Sequence, residues 1–154
     1  MKPFPHDYSA RLTGGPFAYA ELTAGGLPGL RTAPPPQFEG PGDAWSPEQL
    51  LLAAVESCFL FTLRAVARLS KLEFVALELD AQGTVDRQDR ITRFTDIVLR
   101  ATLTVPEGTD RARALAALEK TKSACLVSAS MSTPIRLEAQ IREASLPAQT
   151  PMAS

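Results

Sequence analysis

The sequence predicts an α+β domain in which antiparallel sheets surround one long buried helix. Three observations predict it: a capped apolar segment over residues 46–69, several segments in which apolar and polar residues alternate, and Gly- and Pro-rich stretches that separate them. Alternation with a period of two is typical of strands with one buried face. We expect a single domain over residues 1–144, followed by a mobile tail over residues 145–154.

The first 45 residues predict a small sheet followed by a Pro-rich loop. Residues 8–13 alternate between apolar and polar side chains, which is typical of a strand. A Gly-Gly-Pro turn then leads into a second short strand over residues 17–22, which closes a hairpin. Residues 23–45 are rich in Gly and Pro and predict an extended loop, with one short strand near residues 30–33.

The start of the long helix is marked by side chains that satisfy its free backbone groups. Ser46 is a capping residue, Pro47 occupies the first helical position, and Gln49 completes a capping-box pattern. The segment 50–63 is apolar on nearly every side, which is typical of a buried helix. At about 1.5 Å per residue the helix would span roughly 35 Å, so the other elements are expected to surround it.

The second half of the chain predicts three strands and one further helix. Residues 75–85 and 97–105 alternate as long strands, and the charged stretch 86–90 joins them as a hairpin tip. A helix is expected over residues 110–124, and the helical region ends at Pro134. Residues 135–142 alternate again and predict the final strand.

The composition indicates a soluble globular protein. Hydrophobic residues make up 45% of the 154 residues and charged residues 21%, with a formal net charge of −1. No broad basic field is available to bind nucleic acid. We expect no membrane partner, because no apolar run reaches the ~18 residues of a membrane span. The N-terminus lacks the apolar region of a signal peptide, which predicts a cytoplasmic location.

The cysteine and histidine content excludes some kinds of site. Two cysteines in the reducing cytoplasm are expected to be free thiols. The chain has a single histidine, His6, and two distant cysteines do not supply the four ligands of a zinc site. We therefore expect neither a metal nor a cofactor.

Cys58 and Cys125 are the residues on which chemistry would depend. Each has a purely structural interpretation, because free cysteines are commonly buried as small hydrophobic side chains. Packed helices lie ~8–10 Å apart, so two thiols pointing inward from different helices can meet. A nucleophilic thiol and a resolving thiol are the minimum that a thiol peroxidase or redox sensor of this kind needs. Burial raises a thiol pKa, so the nucleophile needs a nearby cation or hydrogen-bond donor.

Glu48 lies in the first turn of the long helix. One interpretation is a favourable interaction with the helix dipole. Glu48 and Cys58 are ten residues apart, which places them about 15 Å apart along the helix axis. If they share a site, the carboxylate must come from an antiparallel helix of a second subunit. A joint role therefore predicts a homodimer.

Two motifs resemble those of the OsmC/Ohr family, which comprises osmotically inducible protein C and the organic hydroperoxide resistance protein. Residues 46–58 resemble its central-helix motif, a Pro-Glu pair and an Ala-rich apolar helix with a cysteine ten residues after the glutamate. The segment 125–128, Cys-Leu-Val-Ser, resembles its second signature, in which the cysteine is typically followed by Pro, an apolar residue and Ser. The resemblance covers residues 8–143.

The resemblance implies an intertwined homodimer that acts as a thiol-dependent peroxidase on organic hydroperoxides. The residue matching Cys58 attacks the peroxide and becomes a sulfenic acid, and the residue matching Cys125 resolves it as a disulfide. A dithiol reductant, a lipoylated protein in some members, restores the thiols. A glutamate matching Glu48 and an arginine orient and activate the first thiolate.

The activating arginine is absent from both family positions. Gln37 occupies the place before Phe-Glu-Gly where OsmC-type members have it, and Pro16 occupies the place after Gly-Gly where Ohr-type members have it. Arg31 is the nearest substitute and Arg11 the second, although solvated surface charge explains either. The alternative function is a non-catalytic dimer that binds an apolar ligand or senses redox state at the interface pocket. A third possibility is that both cysteines only pack in the core.

Overall fold

The structure is a computed structural model that describes residues 2–17 and 19–144, so the predicted tail over residues 145–154 lies outside it. The elements, in chain order, are β1 Arg11–Thr13, β2 Ala20–Thr23, β3 Leu30–Thr32, a 3₁₀ helix Pro36–Phe38, α1 Pro47–Ser70, β4 Ala76–Gln88, β5 Ile91–Val105, α2 Arg111–Ala124, α3 Leu126–Ala129 and β6 Ile135–Glu143. This order confirms the predicted α+β class. The chain forms two compact units, Met1–Leu51 and Leu52–Ser154.

The first unit contains the small antiparallel sheet β1-β2-β3. Its strands are shorter than predicted, because β1 begins at Arg11 and β2 at Ala20. The predicted buried face of the first strand is wrong for the single chain, since Tyr8 and Leu12 are 88% and 59% exposed. In a sheet of such short strands, the apolar side chains on one face become buried only when another layer packs against that face.

The predicted capping box at the start of α1 is confirmed. The Gln49 backbone N–H donates to the Ser46 hydroxyl at 3.2 Å, and the Ser46 backbone N–H donates to the Gln49 side-chain oxygen at 3.0 Å. The two bonds satisfy donors that a helix start leaves free. These two capping bonds explain why the helix begins at Pro47.

α1 is buried on one face only, whereas the sequence predicted burial on nearly every side. The buried side chains are Val55, Phe59, Leu63, Val66 and Ala67. On the other side Phe61 is 58% exposed, so burial all round is wrong for the single chain. By length and composition α1 is also apolar enough to cross a bilayer, which corrects the expectation that no segment would be. Core helices of soluble proteins share this composition.

A long hairpin dominates the second unit. β4 and β5 pair antiparallel along their lengths, with Gln88 opposite Ile91. The predicted loop over residues 86–90 is therefore wrong in extent, and only Asp89 and Arg90 form the turn. Both have positive φ, 50° and 66°, as a two-residue turn that matches the strand twist requires.

The last strand runs parallel to its neighbour, the one exception to the predicted antiparallel sheets. β6 lies beside β5, with Ile97 opposite Ile135. The chain between them contains α2 and α3, and a helical crossover of this kind brings the next strand back in the same direction. The core of this unit contains side chains of α1, β5 and α2, including Phe59, Leu63, Leu99, Leu103, Leu118 and Val105.

Candidate functional site

Cys125 lies in a break between two helices. Asp110 caps the start of α2 by accepting from the backbone N–H of Ala112 at 2.9 Å. The helix ends at Ala124, and Cys125 has an extended backbone with φ −69° and ψ 114° before α3 begins. The first N–H groups of a helix have no partner within it. The break therefore frees the backbone N–H groups after Cys125 to serve as donors.

The structure brings Cys58 and Cys125 together within the second unit. Both are free thiols, Cys58 half-buried in the middle of α1 and Cys125 fully buried. The Cys125 thiol and the backbone N–H groups of Leu126 and Val127 lie close enough to the Cys58 sulfur to influence its pKa. Thr62, one turn further along α1, places its hydroxyl oxygen 3.9 Å from the Cys58 sulfur.

Hydrogen bonds make Cys58 the more acidic thiol. Burial is the largest single influence on its pKa and raises it, because burial disfavours the anion. Hydrogen bonds from the Val127 N–H, the Cys125 thiol, the Thr62 hydroxyl and the Leu126 N–H act in the opposite direction. Their combined effect is larger, so the pKa of Cys58 lies below that of an ordinary thiol.

The pKa of Cys125 is shifted in the opposite direction. Burial raises it most, hydrogen bonds from Ser128 lower it, and the neighbouring Cys58 raises it again. The net effect is a raised pKa. Two neighbouring thiols with pKa values moved apart are suited to different roles, one as the nucleophilic anion and the other as a protonated donor.

Glu48 borders an apolar cavity in the first unit. The cavity has a volume of about 380 Å³ and is lined largely by the side chains of Leu12, Ala20, Ala33, Pro34, Pro35 and Phe38. The Oε2 atom of Glu48 is buried, and no described residue gives it a hydrogen bond. A buried carboxylate oxygen without a donor is costly. This geometry favours a donor supplied by a bound molecule or a second subunit.

Arg31 takes part in an exposed cluster of the first unit. Its guanidinium donates to the backbone oxygen of Asp43 at 3.2 Å, lies 3.6 Å from the Asp43 carboxylate and stacks 4.3 Å from the centre of the Tyr19 ring. Tyr19 also donates to Asp43 at 2.9 Å. These contacts agree with the surface-charge interpretation of Arg31. Gln37 is exposed in the 3₁₀ helix, and Arg11 is exposed in β1.

The donors around Cys58 are the part of the site that the sequence patterns did not identify. Thr62 was available as a signal, because residues four apart on a helix share a face. The N–H groups of Leu126 and Val127 carry no side-chain signature. Among residues 2–17 and 19–144, no group of three His, Cys, Asp or Glu side chains lies close enough together to hold a metal ion.

Comparisons with known proteins give a family match and a curated relative. A family model described as OsmC-like protein matches residues 40–140. The uncharacterized protein YmaD from Bacillus subtilis is 26% identical over 113 residues, covering 70% of this chain and 75% of YmaD.

Solved structures are also similar to this chain in fold, and two of them serve as examples. An OsmC-like protein of unknown function from Vibrio cholerae has a TM-score of 0.80 at 15% identity, covering 88% of this chain and 99% of that one. An organic hydroperoxide resistance protein OsmC from Legionella pneumophila has a TM-score of 0.71 at 24% identity, covering 90% of this chain and 98% of that one.

Proposed function

The chain belongs to the OsmC-like protein family, and we propose that it is a thiol-dependent peroxidase that reduces organic hydroperoxides with Cys58 and Cys125. One observation carries this proposal. Two free thiols, Cys58 and Cys125, lie close enough for each to shift the pKa of the other, and the pKa of Cys58 is the one that is lowered. A thiolate is the nucleophilic form of cysteine, so the more acidic thiol is the one that attacks.

The proposed reaction has two steps at the thiols. The Cys58 thiolate attacks the outer peroxide oxygen, so an S–O bond forms, the O–O bond breaks, and the alkoxide takes up a proton to leave as an alcohol. The Cys125 thiol then loses its proton and attacks the Cys58 sulfur. An S–S bond forms, the S–O bond breaks, and the oxygen leaves as water.

A dithiol reductant would return the disulfide to two thiols, becoming a disulfide itself. By resemblance to the family we propose a lipoylated protein for this role. We also propose a cytoplasmic location, where the glutathione pool keeps thiols reduced. Detection of the protein only outside the cytoplasm in cell fractionation would rule this location out.

We propose that the active form is a homodimer in which Glu48 of one subunit faces Cys58 of the other. The ten-residue separation within α1 prevents the two side chains from meeting in one chain. Two further observations support the proposal: Oε2 of Glu48 has no donor among the described residues of its own chain, and Phe61 on α1 is exposed. A monomer at micromolar concentration in sedimentation equilibrium would exclude it.

The proposal predicts a defined product when the reduced protein meets one equivalent of cumene hydroperoxide. We expect one intrachain disulfide between Cys58 and Cys125 per chain and one equivalent of alcohol. Peptide mass spectrometry under non-reducing conditions measures the disulfide, and chromatography measures the alcohol. Cys125→Ser is the matched control, in which oxidation should stop at a Cys58 sulfenic acid that dimedone traps. Sulfinic acid at Cys58 of the unsubstituted protein without any bridge would contradict the resolving role of Cys125.

A non-catalytic, ligand-binding function is the second candidate. It is favoured by the apolar cavity beside Glu48 and by Gln37 at the place of the family arginine. A cavity of about 380 Å³ lies within the size range of small-molecule sites.

Cavity filling tests this second candidate. Ala33 lines the cavity and is buried, so Ala33→Phe should occupy the ligand space. If the cavity is a binding site, we expect decanol to bind in calorimetry and its affinity to fall at least about tenfold in the variant. Leu27→Phe, at an exposed position outside the cavity, is the control and should bind as before. Absence of binding together with rapid peroxide reduction would dismiss this function.

A further inference from the structure

The Thr62 hydroxyl has an unusual partner for a hydroxyl in a helix. Its oxygen lies 3.9 Å from the sulfur of Cys58, one turn earlier in α1. Hydrogen bonds to sulfur are longer than those to oxygen because the sulfur atom is larger. Both residues belong to the same rigid helix, so this contact is fixed by the 3.6-residue turn.

Several other helix hydroxyls bond to the backbone instead. Ser70 donates to the carbonyl oxygen of Val66 at 2.8 Å, and Thr121 donates to that of Ala117 at 2.7 Å. This bond to the carbonyl four residues earlier is the usual one for Ser and Thr inside helices. Within the described part of the chain, the recorded side-chain partner of Thr62 is the Cys58 sulfur. Its hydroxyl is therefore directed toward the thiol.

The groups around Cys58 explain why this hydrogen bond matters for the thiolate. Among the described residues of the single chain, the groups near its sulfur are Thr62 on α1 and, from the junction of α2 and α3, the Cys125 thiol and the N–H groups of Leu126 and Val127. In the proposed homodimer the carboxylate of the partner's Glu48 also faces this sulfur. The donors within the single chain are all neutral, and Cys125 is the titratable group among them. Burial acts against the anion, so the anion depends on the sum of neutral hydrogen bonds.

We propose that Thr62 is a positioning residue for the reaction, and that its hydroxyl donates to the Cys58 thiolate and holds it toward Cys125. A thiolate has no proton to give, so the hydroxyl must be the donor once Cys58 ionises. The bond is stronger to the anion than to the neutral thiol, since hydrogen bonds to ionised groups are stronger. The inference rests on the proposed function in that it assigns Cys58 as the reacting thiolate.

Thr62→Val tests the proposal, because valine has nearly the same shape and no hydroxyl. The readout is the rate of Cys58 alkylation by iodoacetamide in the reduced full-length protein, measured from pH 5 to pH 10 by peptide-resolved mass spectrometry. Loss of a donor to the anion raises the thiol pKa, so the curve of alkylation rate against pH should move to higher pH. At pH 7 we expect the rate to fall about three- to fivefold, whereas the plateau at high pH should be unchanged.

Two further variants separate this role from a structural one. Thr62→Ser keeps the hydroxyl and should restore the wild-type midpoint. Ser70→Ala removes a hydroxyl that serves only the backbone of the same helix and should leave the curve unchanged. The proposal would be overturned if the pH midpoints of the alkylation rate coincided for wild type and Thr62→Val. It would also be overturned if the variant's alkylation rate fell by the same factor at every pH, including the plateau. The assay contains no peroxide, so its outcome is separate from the success or failure of the peroxidase proposal.

Discussion

Replacing Cys58 with serine is expected to abolish the dithiol-dependent reduction of cumene hydroperoxide. A serine hydroxyl remains protonated at neutral pH, so the substitution removes the anionic nucleophile and leaves the shape of the site nearly intact. We expect kcat/KM to fall by about 1000-fold or more, which corresponds to roughly 4 kcal/mol of transition-state stabilisation. Consumption of peroxide in the presence of dithiothreitol, at pH 7 and fixed protein concentration, measures the effect.

Cys125→Ser is the matched variant, because it makes the same atomic change at the other thiol. It leaves the nucleophile in place, so a single turnover should proceed at a rate close to that of the wild type. Continuous turnover should slow, since the sulfenic acid must then be reduced by the external thiol. If the wild type and Cys58→Ser consumed peroxide equally slowly, the peroxidase function would be untenable. An equal loss in both variants during the first turnover would show that the roles of the thiols had been misassigned.

Local interactions explain which parts of the fold the sequence could predict. The start of α1 depends on Ser46 and Gln49, whose bonds span three residues, and the predicted bonds are present. The tip of the long hairpin depends instead on the backbone of Asp89 and Arg90. Non-glycine residues with positive φ have no reliable composition signal, so the predicted loop extended over the whole charged stretch.

Burial was the property that the pattern predicted least well. The alternation around Leu12 and the apolar surface of α1 both indicate contact with another layer, yet Leu12 and Phe61 are exposed in the single chain. A sequence pattern records that a face is apolar but does not record which chain covers it. Exposed apolar faces of this kind are typical of interaction surfaces, in agreement with the proposed dimer.

The candidate site was predictable in its side chains and not in its backbone. The spacing of Glu48, Cys58 and Cys125 carried the family resemblance, and the structure places the two thiols close enough for each to shift the pKa of the other. The end of α2 at Ala124 agrees with the predicted bound of that helix. The short helix α3, and the donor role of the N–H groups of Leu126 and Val127 at its start, were not predicted, because backbone donors have no side-chain signature.

The packing that supports Cys58 leads to a second prediction of large effect, in which Phe59→Ala strongly destabilises the fold. Phe59 follows Cys58 on α1, is 1% exposed and belongs to the core formed with Leu99 and Leu103 of β5. Truncating a buried phenylalanine removes its transfer free energy and leaves a cavity. We expect the free energy of unfolding to fall by about 3–5 kcal/mol. Urea unfolding monitored by far-UV circular dichroism, at one fixed protein concentration, measures the change.

Leu69→Ala is the control, because Leu69 lies on the same helix and is 76% exposed. It should change the free energy of unfolding by no more than about 0.5 kcal/mol. Phe59 is the largest of the buried side chains of α1, so we expect it to contribute most to holding the rotation of the helix that turns Cys58 toward Cys125. Phe59→Ala should therefore also slow disulfide formation under conditions where the protein is still folded. A loss below about 1 kcal/mol, with normal disulfide formation, would mean that other core residues determine the orientation of α1.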